Sequence, residues 1–291
     1  MPTEPVSDAV ARTERALEAL LPAPEQAPER LHQAMRYACL NGGKRLRAQL
    51  VFATGQLFNR RPEPLHAAAA AIEMIHAYSL IHDDLPAMDN DALRRGKPSV
   101  HIAFDEATAI LAGDALQTLA FQALVTTDWP DAIKVQALQL LLSASGSTGM
   151  CGGQQLDMDA GGRTLNLDEL QRVHALKTGA LIKAALLIPA AIASADEEDT
   201  DALTAFAEDL GLAFQIQDDI LDIESSTEQL GKSAGKDAAQ SKSTYPALLG
   251  LDGAKTLLAQ LAERMRAHLR HFDDSADTLR ELAEFAVNRR N

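Results

Sequence analysis

The sequence predicts an all-α fold, a single bundle of roughly ten or more helices around a central cavity. Three observations carry that expectation. Alanine and leucine dominate, while valine-rich alternating runs are nearly absent. Apolar residues recur at helical spacing between short Gly/Pro/Asn/Asp clusters. No Gly/Ser linker, charge block or internal repeat divides the 291 residues, so one domain spans 1–291. With 46% hydrophobic residues the chain can bury a large core.

The elements follow from the punctuation. A first helix over 5–21 stops at Pro22–Pro28, and a second covers 28–40 before Asn41-Gly42-Gly43. Helices at 44–58 and 64–85 flank Arg61–Pro64, and 101–126 follows Gly96–Pro98. Asp128-Trp129-Pro130 starts 131–148, and Gly161-Gly162 precedes 167–194. A helix over 198–224 leads into Gly231–Gly235, and 246–270 and 274–289 complete the series.

Net charge is −14, from 27 Lys+Arg against 41 Asp+Glu. A general nucleic-acid binder needs a basic excess to offset phosphate charge, so that class is excluded. An acidic chain that handles anions must gather its cations locally or recruit metal ions. Two cysteines, Cys39 and Cys151, have neither pairing nor metal-ligand spacing, which fits a reducing cytoplasm. Met1 to Val10 do not read as a secretory signal. The apolar runs Ala67–Ala71 and Ala184–Ala193 are too short or interrupted to span a bilayer, so no membrane insertion is expected.

Two acidic clusters stand out. In His82-Asp83-Asp84-Leu85-Pro86-Ala87-Met88-Asp89-Asn90-Asp91, four aspartates follow a long apolar helix. Clustered carboxylates repel unless cations neutralise them. Oxygen-only ligands suit Mg²⁺, which takes one or two carboxylates and completes its shell with water and phosphate. On an unbroken helix Asp83 and Asp89 point about 120° apart. Pro86 ends or bends the helix and turns Asp89 back toward Asp83. In the second cluster, Gln215-Ile216-Gln217-Asp218-Asp219-Ile220-Leu221-Asp222, Asp218 and Asp222 are i and i+4 on one face, with Gln215 in the same stripe. These acids interrupt an apolar run and are expected to face a cavity. A solvated acidic face is the plainer reading of either cluster alone.

Basic residues fall at matching places. Gly43, Lys44 and Arg47 lie in a segment expected to open a helix, whose free N–H groups suit an anion. Arg94 and Arg95 follow the first cluster, Lys177-Thr178 lie mid-helix, and Lys232, Lys236 and Lys242 follow the second cluster. Gly231-Lys232-Ser233 lacks the upstream glycine spacing and preceding strand of a phosphate-binding loop. His76 lies seven residues before Asp83 on nearly the same face. Tyr78 is five residues before Asp83, about 7.5 Å deeper along the helix, beside the small Ser79.

With these residues in family order, the chain resembles the trans-isoprenyl diphosphate synthases, specifically their bacterial farnesyl-type branch. The resemblance runs from Gly42-Gly43-Lys44-Arg45-Leu46-Arg47 to Lys242-Ser243-Thr244-Tyr245-Pro246. Between them lie Glu73-Met74-Ile75-His76, Leu93-Arg94-Arg95-Gly96, Ala112-Gly113-Asp114-Ala115-Leu116, Cys151-Gly152-Gly153-Gln154 and Lys177-Thr178-Gly179, besides both clusters. The resemblance implies the isoprenoid synthase fold, usually as a homodimer, acting on small isoprenoid diphosphates by ionisation, condensation and elimination. It implies Asp83 and Asp89 as ligands of two Mg²⁺ and Asp218 of a third, with Asp84, Asp219, Asp222 and Lys177 completing the catalytic set. It places allylic diphosphate against Arg94, Lys177, Thr178, Gln215, Lys232 and Lys242. Isopentenyl diphosphate falls to Gly43, Lys44, Arg47, His76 and Arg95. Tyr78 and Ser79 form the floor that stops growth at fifteen carbons. A longer-chain synthase is the nearest alternative. A terpene cyclase has no use for the isopentenyl site, a His-Asp phosphohydrolase needs further histidines, and a non-catalytic synthase subunit would have lost part of an aspartate motif.

Overall fold

The computed structural model describes residues 4–224 and 243–289. Almost everything described is helix. The chain starts with α1 (Glu4–Leu20), α2 (Glu29–Cys39), α3 (Leu46–Leu57) and α4 (His66–Asp83), the last preceded by a 3-10 turn. A small hairpin, β1 (Leu93–Arg94) and β2 (Lys97–Pro98), leads to α5 (Val100–Ala103) and α6 (Glu106–Val125). Then come α7 (Asp131–Ser145), α8 (Met150–Asp159), α9 (Leu167–His174), a π-helical turn Ala175–Gly179, and α10 (Ala180–Ala193). Last are α11 (Glu197–Glu224), α12 (Tyr245–His268) and α13 (Asp277–Asn288).

The all-α expectation holds, with instructive departures. The segment predicted to open a helix at 44 does so at Leu46, because Gly42, Gly43 and Arg45 all take positive φ. The predicted 101–126 is two helices. Asp105 separates them, and its side chain accepts the Thr108 N–H as the N-cap of α6. The predicted 167–194 is one helical run with a π turn at its middle. Helix α8 was not predicted, since Gly152-Gly153 weakens the local propensity. It forms because packing overrides propensity: a Cβ on Gly153 would lie 2.2 Å from the Lys177 nitrogen, so glycine lets α8 close on the π turn.

The buried side chains form one continuous cluster running through α3, α4, α6, α10 and α11. Helix α4 is buried on nearly every side, and α10 packs on α3, α4, α7 and α11. The alanines of α4 (Ala68–Ala71) are fully buried and permit close approach of its neighbours. By length and composition, Glu106–Val125 and Leu167–Ala193 are apolar enough to cross a bilayer, the second being a longer span than Ala184–Ala193. The Leu181–Ala191 stretch is core of this bundle, and all but one of its residues are buried. The outer face of α6 instead leaves Ile110, Leu111 and Val125 exposed.

Candidate active site

Asp83 is the last residue of α4. The chain reverses after Pro86, so that the Asp89 N–H donates to the Asp83 carbonyl at 2.9 Å and the Asp91 N–H to that of Asp84 at 3.1 Å. The proline-driven return of Asp89 is therefore as expected. The two leading aspartates have different surroundings. Asp83 accepts a 2.5 Å hydrogen bond from Gln154 Nε2 on α8. Asp84 turns inward, is almost fully buried, and is paired with the Arg94 guanidinium through both carboxylate oxygens. Burial pushes the Asp84 carboxyl above its usual range, against the opposing pull of Arg94.

The hairpin explains how adjacent arginines serve different places. Arg94 pairs with Lys97 across a two-residue turn, Arg95-Gly96, in which both residues have positive φ. Arg94 points back to Asp84. Arg95 points away, donating to the Gly42 carbonyl. Its guanidinium lies where a Cβ on Gly43 would be, 2.6 Å from Arg95 Cζ. Arg95 and Arg45 adopt left-handed backbone at φ 54° and 50°, strain that costs about 1 kcal/mol each.

Lys44, Arg47, His76 and Arg95 line one pocket, together with Phe214, Phe285 and Arg289. Arg45, in the middle of the same motif, borders the pocket but spends its guanidinium elsewhere. It folds inward onto Glu14 (2.8 Å), Glu73 (3.1 Å) and the Cys39 carbonyl. Glu73 in turn accepts the Ala48 N–H in the first turn of α3. This buried network holds the loop so that Lys44 and Arg47 are left for the pocket. There the cations are uncomfortable. Lys44 lies below its ordinary pKa, first through burial and then through Arg289. Desolvation lowers Arg47, whose Nε is buried with no hydrogen-bond partner. His76 falls well below the usual histidine value through burial and then Arg47 and Arg95, so it stays neutral and offers a hydrogen bond, not a charge. The orphaned Arg47 Nε and the mutual repulsion of these cations favour an anion here.

A larger cavity of 540 Å³ opens beside it, between α4, α8 and the π turn. Asp83, Lys177, Thr178 and Arg47 mark its polar end; Leu80, Leu85, Met88, Met150 and Met158 supply apolar lining. Tyr78 and Ser79 also line it. The Tyr78 hydroxyl lies 3.3 Å from Cys151 Sγ, and its ring meets His82 edge-on at 5.8 Å. Lys177 bonds Asp157 at 2.8 Å. Burial opposes its charge, but Asp83, Asp157 and Asp89 together raise its pKa above the ordinary value.

The π turn connects the two clusters. Thr178 Oγ1 lies 3.4 Å from Gln215 Oε1, and Gln215 Nε2 donates to Asp219 at 3.3 Å. Asp219, buried, accepts the Tyr245 N–H at 3.0 Å and so joins α11 to the start of α12. Asp218 is half-exposed and pairs with Arg289 at 2.8 Å. Asp222 is buried, with Oδ1 lacking a hydrogen-bond partner. Lys232, Lys236 and Lys242 lie outside the described residues. The sequence reading missed Gln154, Asp157 and Arg289. Gln154 sat in a motif already matched, whereas nothing near Arg289 in sequence points to Asp218.

The residues fit a hard divalent cation. The donor set is carboxylate oxygen, and the orphaned buried Asp222 Oδ1 lies one turn from Asp218. Among the described residues no three His, Cys, Asp or Glu converge as a complete metal cage.

Comparison with known proteins agrees. The polyprenyl synthetase family profile matches residues 28–282. Farnesyl diphosphate synthase of Escherichia coli is 52% identical over 266 residues, covering 88% of each chain. That of Haemophilus influenzae is 47% identical over 292 residues, covering 99% of each. The apo crystal structure of a FPP/GFPP synthase from Zymomonas mobilis superposes with TM-score 0.88 at 42% identity, over 97% of this chain and 98% of that one. The chain belongs to the polyprenyl synthetase family.

Proposed function

We propose that this protein is a prenyltransferase that condenses isopentenyl diphosphate with dimethylallyl and then geranyl diphosphate, giving farnesyl diphosphate. The observation that carries this reading is the pairing of two unlike compartments in an acidic chain. One is a pocket lined by the crowded cations Lys44, Arg47 and Arg95, each with its pKa lowered by burial. The other is a mostly apolar cavity whose lining includes Asp83 and Lys177. A substrate with a diphosphate head and a hydrocarbon tail uses both.

Asp83 and Asp89 would hold two Mg²⁺ and Asp218 a third, with Asp84, Asp219 and Asp222 in support. When bound, the metal draws negative charge off the departing diphosphate and favours C–O cleavage. Lys177, Thr178, Gln215 and Arg94 would orient the allylic diphosphate, joined by Lys232 and Lys242. Lys44, Arg47, Arg95 and neutral His76, on the loop shaped by Gly43, would hold isopentenyl diphosphate with its double bond toward the allylic carbon. As the C–O bond breaks, that double bond forms the new C–C bond. A proton then leaves the adjoining carbon, with the released diphosphate as acceptor. The apolar cavity excludes water that would otherwise capture the cation. Tyr78, with Ser79 beside it, would end the cavity at fifteen carbons. The exposed apolar side chains of α6 and α7 (Leu111, Val125, Val135, Leu142) suit a homodimer, and we place the enzyme in the cytoplasm.

The test is to incubate purified protein with Mg²⁺, labelled isopentenyl diphosphate and dimethylallyl diphosphate, then chromatograph the dephosphorylated products. Farnesol should dominate and vanish with EDTA. No elongation from either dimethylallyl or geranyl starter would refute the reading.

A further inference from the structure

Arg289 is the anomaly of the basic pocket. It comes from the residue after α13, yet its side chain is almost fully buried against α11. Nη2 lies 2.8 Å from Asp218 Oδ1 and donates to the Phe214 carbonyl at 2.7 Å. The guanidinium carbon is 3.8 Å from the centre of the Phe214 ring. Gln217 Nε2 donates to the Arg289 carbonyl at 2.8 Å, so one face of α11 grips both ends of the residue.

This placement is costly. Nε is buried with no hydrogen-bond partner. Desolvation pulls the pKa of Arg289 down, and only Asp218 opposes it. The neighbours in the pocket are Lys44, Arg47 and Arg95, and Arg289 itself depresses Lys44. The Phe214 carbonyl and ring also hold this guanidinium, and Asp218 supplies the opposing charge beside it.

We propose that Arg289 is an internal stand-in for the cation that Asp218 holds during turnover, and that loading of metal and diphosphate opens the Arg289–Asp218 pair. The proposal rests on the reading of Asp218 as a metal ligand. Opening has a cost that the incoming ions must meet, so the pair lowers the affinity of the resting protein for metal–diphosphate. It keeps the half-exposed Asp218 carboxylate satisfied until both ions arrive.

Calorimetric titration of the full chain with inorganic pyrophosphate in saturating Mg²⁺ tests this without turnover. Arg289→Gln should bind about 5- to 10-fold more tightly than wild type, the scale expected when a competing charge pair is removed. Removing a cation from a basic pocket would by itself weaken pyrophosphate binding, so a gain identifies the stand-in role. Arg289→Lys should lie between the two. Phe214→Leu, which removes the platform and keeps the charge, should shift affinity the same way by a smaller factor, and covers the case in which Arg289→Gln folds poorly. Weaker binding by Arg289→Gln would make Arg289 a diphosphate ligand, and unchanged binding would make the pair irrelevant to loading; either overturns the proposal. If wild-type protein takes up no pyrophosphate with Mg²⁺, the metal-site reading fails as well, a result distinct from equal binding by wild type and variant.

Discussion

The two acidic clusters share a pattern, paired aspartates followed by a third, but the chain builds them differently. The first is a reversal. Helix α4 ends at Asp83, and Pro86 sends the chain back until Asp89 bonds the Asp83 carbonyl. The second lies on the uninterrupted α11. In both, the middle aspartate is given to the framework. Asp84 neutralises Arg94 of the hairpin, and Asp219 receives the Tyr245 N–H and the Gln215 amide. The difference lies in the partner. Asp84 is locked to a full charge, whereas Asp219 is held by neutral donors. The outer carboxylates differ likewise: Asp83 is oriented by Gln154 with Lys177 nearby, while Asp218 is covered by Arg289. One cluster is arranged in advance; the other is arranged but occupied.

This contrast fixes a ranking of effects. Asp83→Ala should lower kcat by about 10³-fold, at the upper end for loss of one stabilising group. The same change at Asp84 should act first on folding. It strands Arg94, and after discounting for the 31% exposure of that side chain it should cost about 2 kcal/mol in chemical denaturation. If Asp84→Ala left stability intact while abolishing turnover, the division of labour within the first cluster would be broken. Gln154→Ala should reduce activity about 10- to 100-fold and raise the Mg²⁺ needed for half-maximal rate, as loss of a group orienting a metal ligand does. Asp219→Asn keeps an acceptor for the Tyr245 N–H, so it should cost only about 1 kcal/mol, less than Asp84→Ala. Tyr78→Ala tests a further asymmetry. On α4 the aromatic one to two turns before the aspartates lines the larger cavity, whereas Phe214 of α11 lines the basic pocket, so this variant should yield products of twenty carbons or more by chromatography. An unchanged farnesol peak would remove Tyr78 from chain-length control.

The reversal at Pro86 was readable because proline acts locally, and the helical bundle because alanine and leucine repeat at helical spacing. What the letters hid depends on distant partners. Within Lys44-Arg45-Leu46-Arg47 nothing distinguishes the inward arginine, since its left-handed backbone and its partners Glu14 and Glu73 come from other helices. The π turn at Lys177-Thr178 has no local signature. It arises where α8 and α11 close on the chain, through Gly153 and Gln215. Helix α8, with Gln154 and Asp157, was lost to its glycines, which serve that close packing. Asp218 and Asp222 looked equivalent at i and i+4, until Arg289, 71 residues away, covered one and burial left the other with a bare oxygen.

The central claim is that both clusters grip one diphosphate through shared cations. The direct measurement is a crystal structure with inorganic pyrophosphate and Mn²⁺ in place of Mg²⁺, read by the anomalous signal of manganese. Peaks beside Asp83, Asp89 and Asp218, bridged by a single pyrophosphate and with Arg289 displaced, are the predicted result. Metal confined to one cluster, or pyrophosphate bound with the Arg289–Asp218 pair closed, would contradict the account.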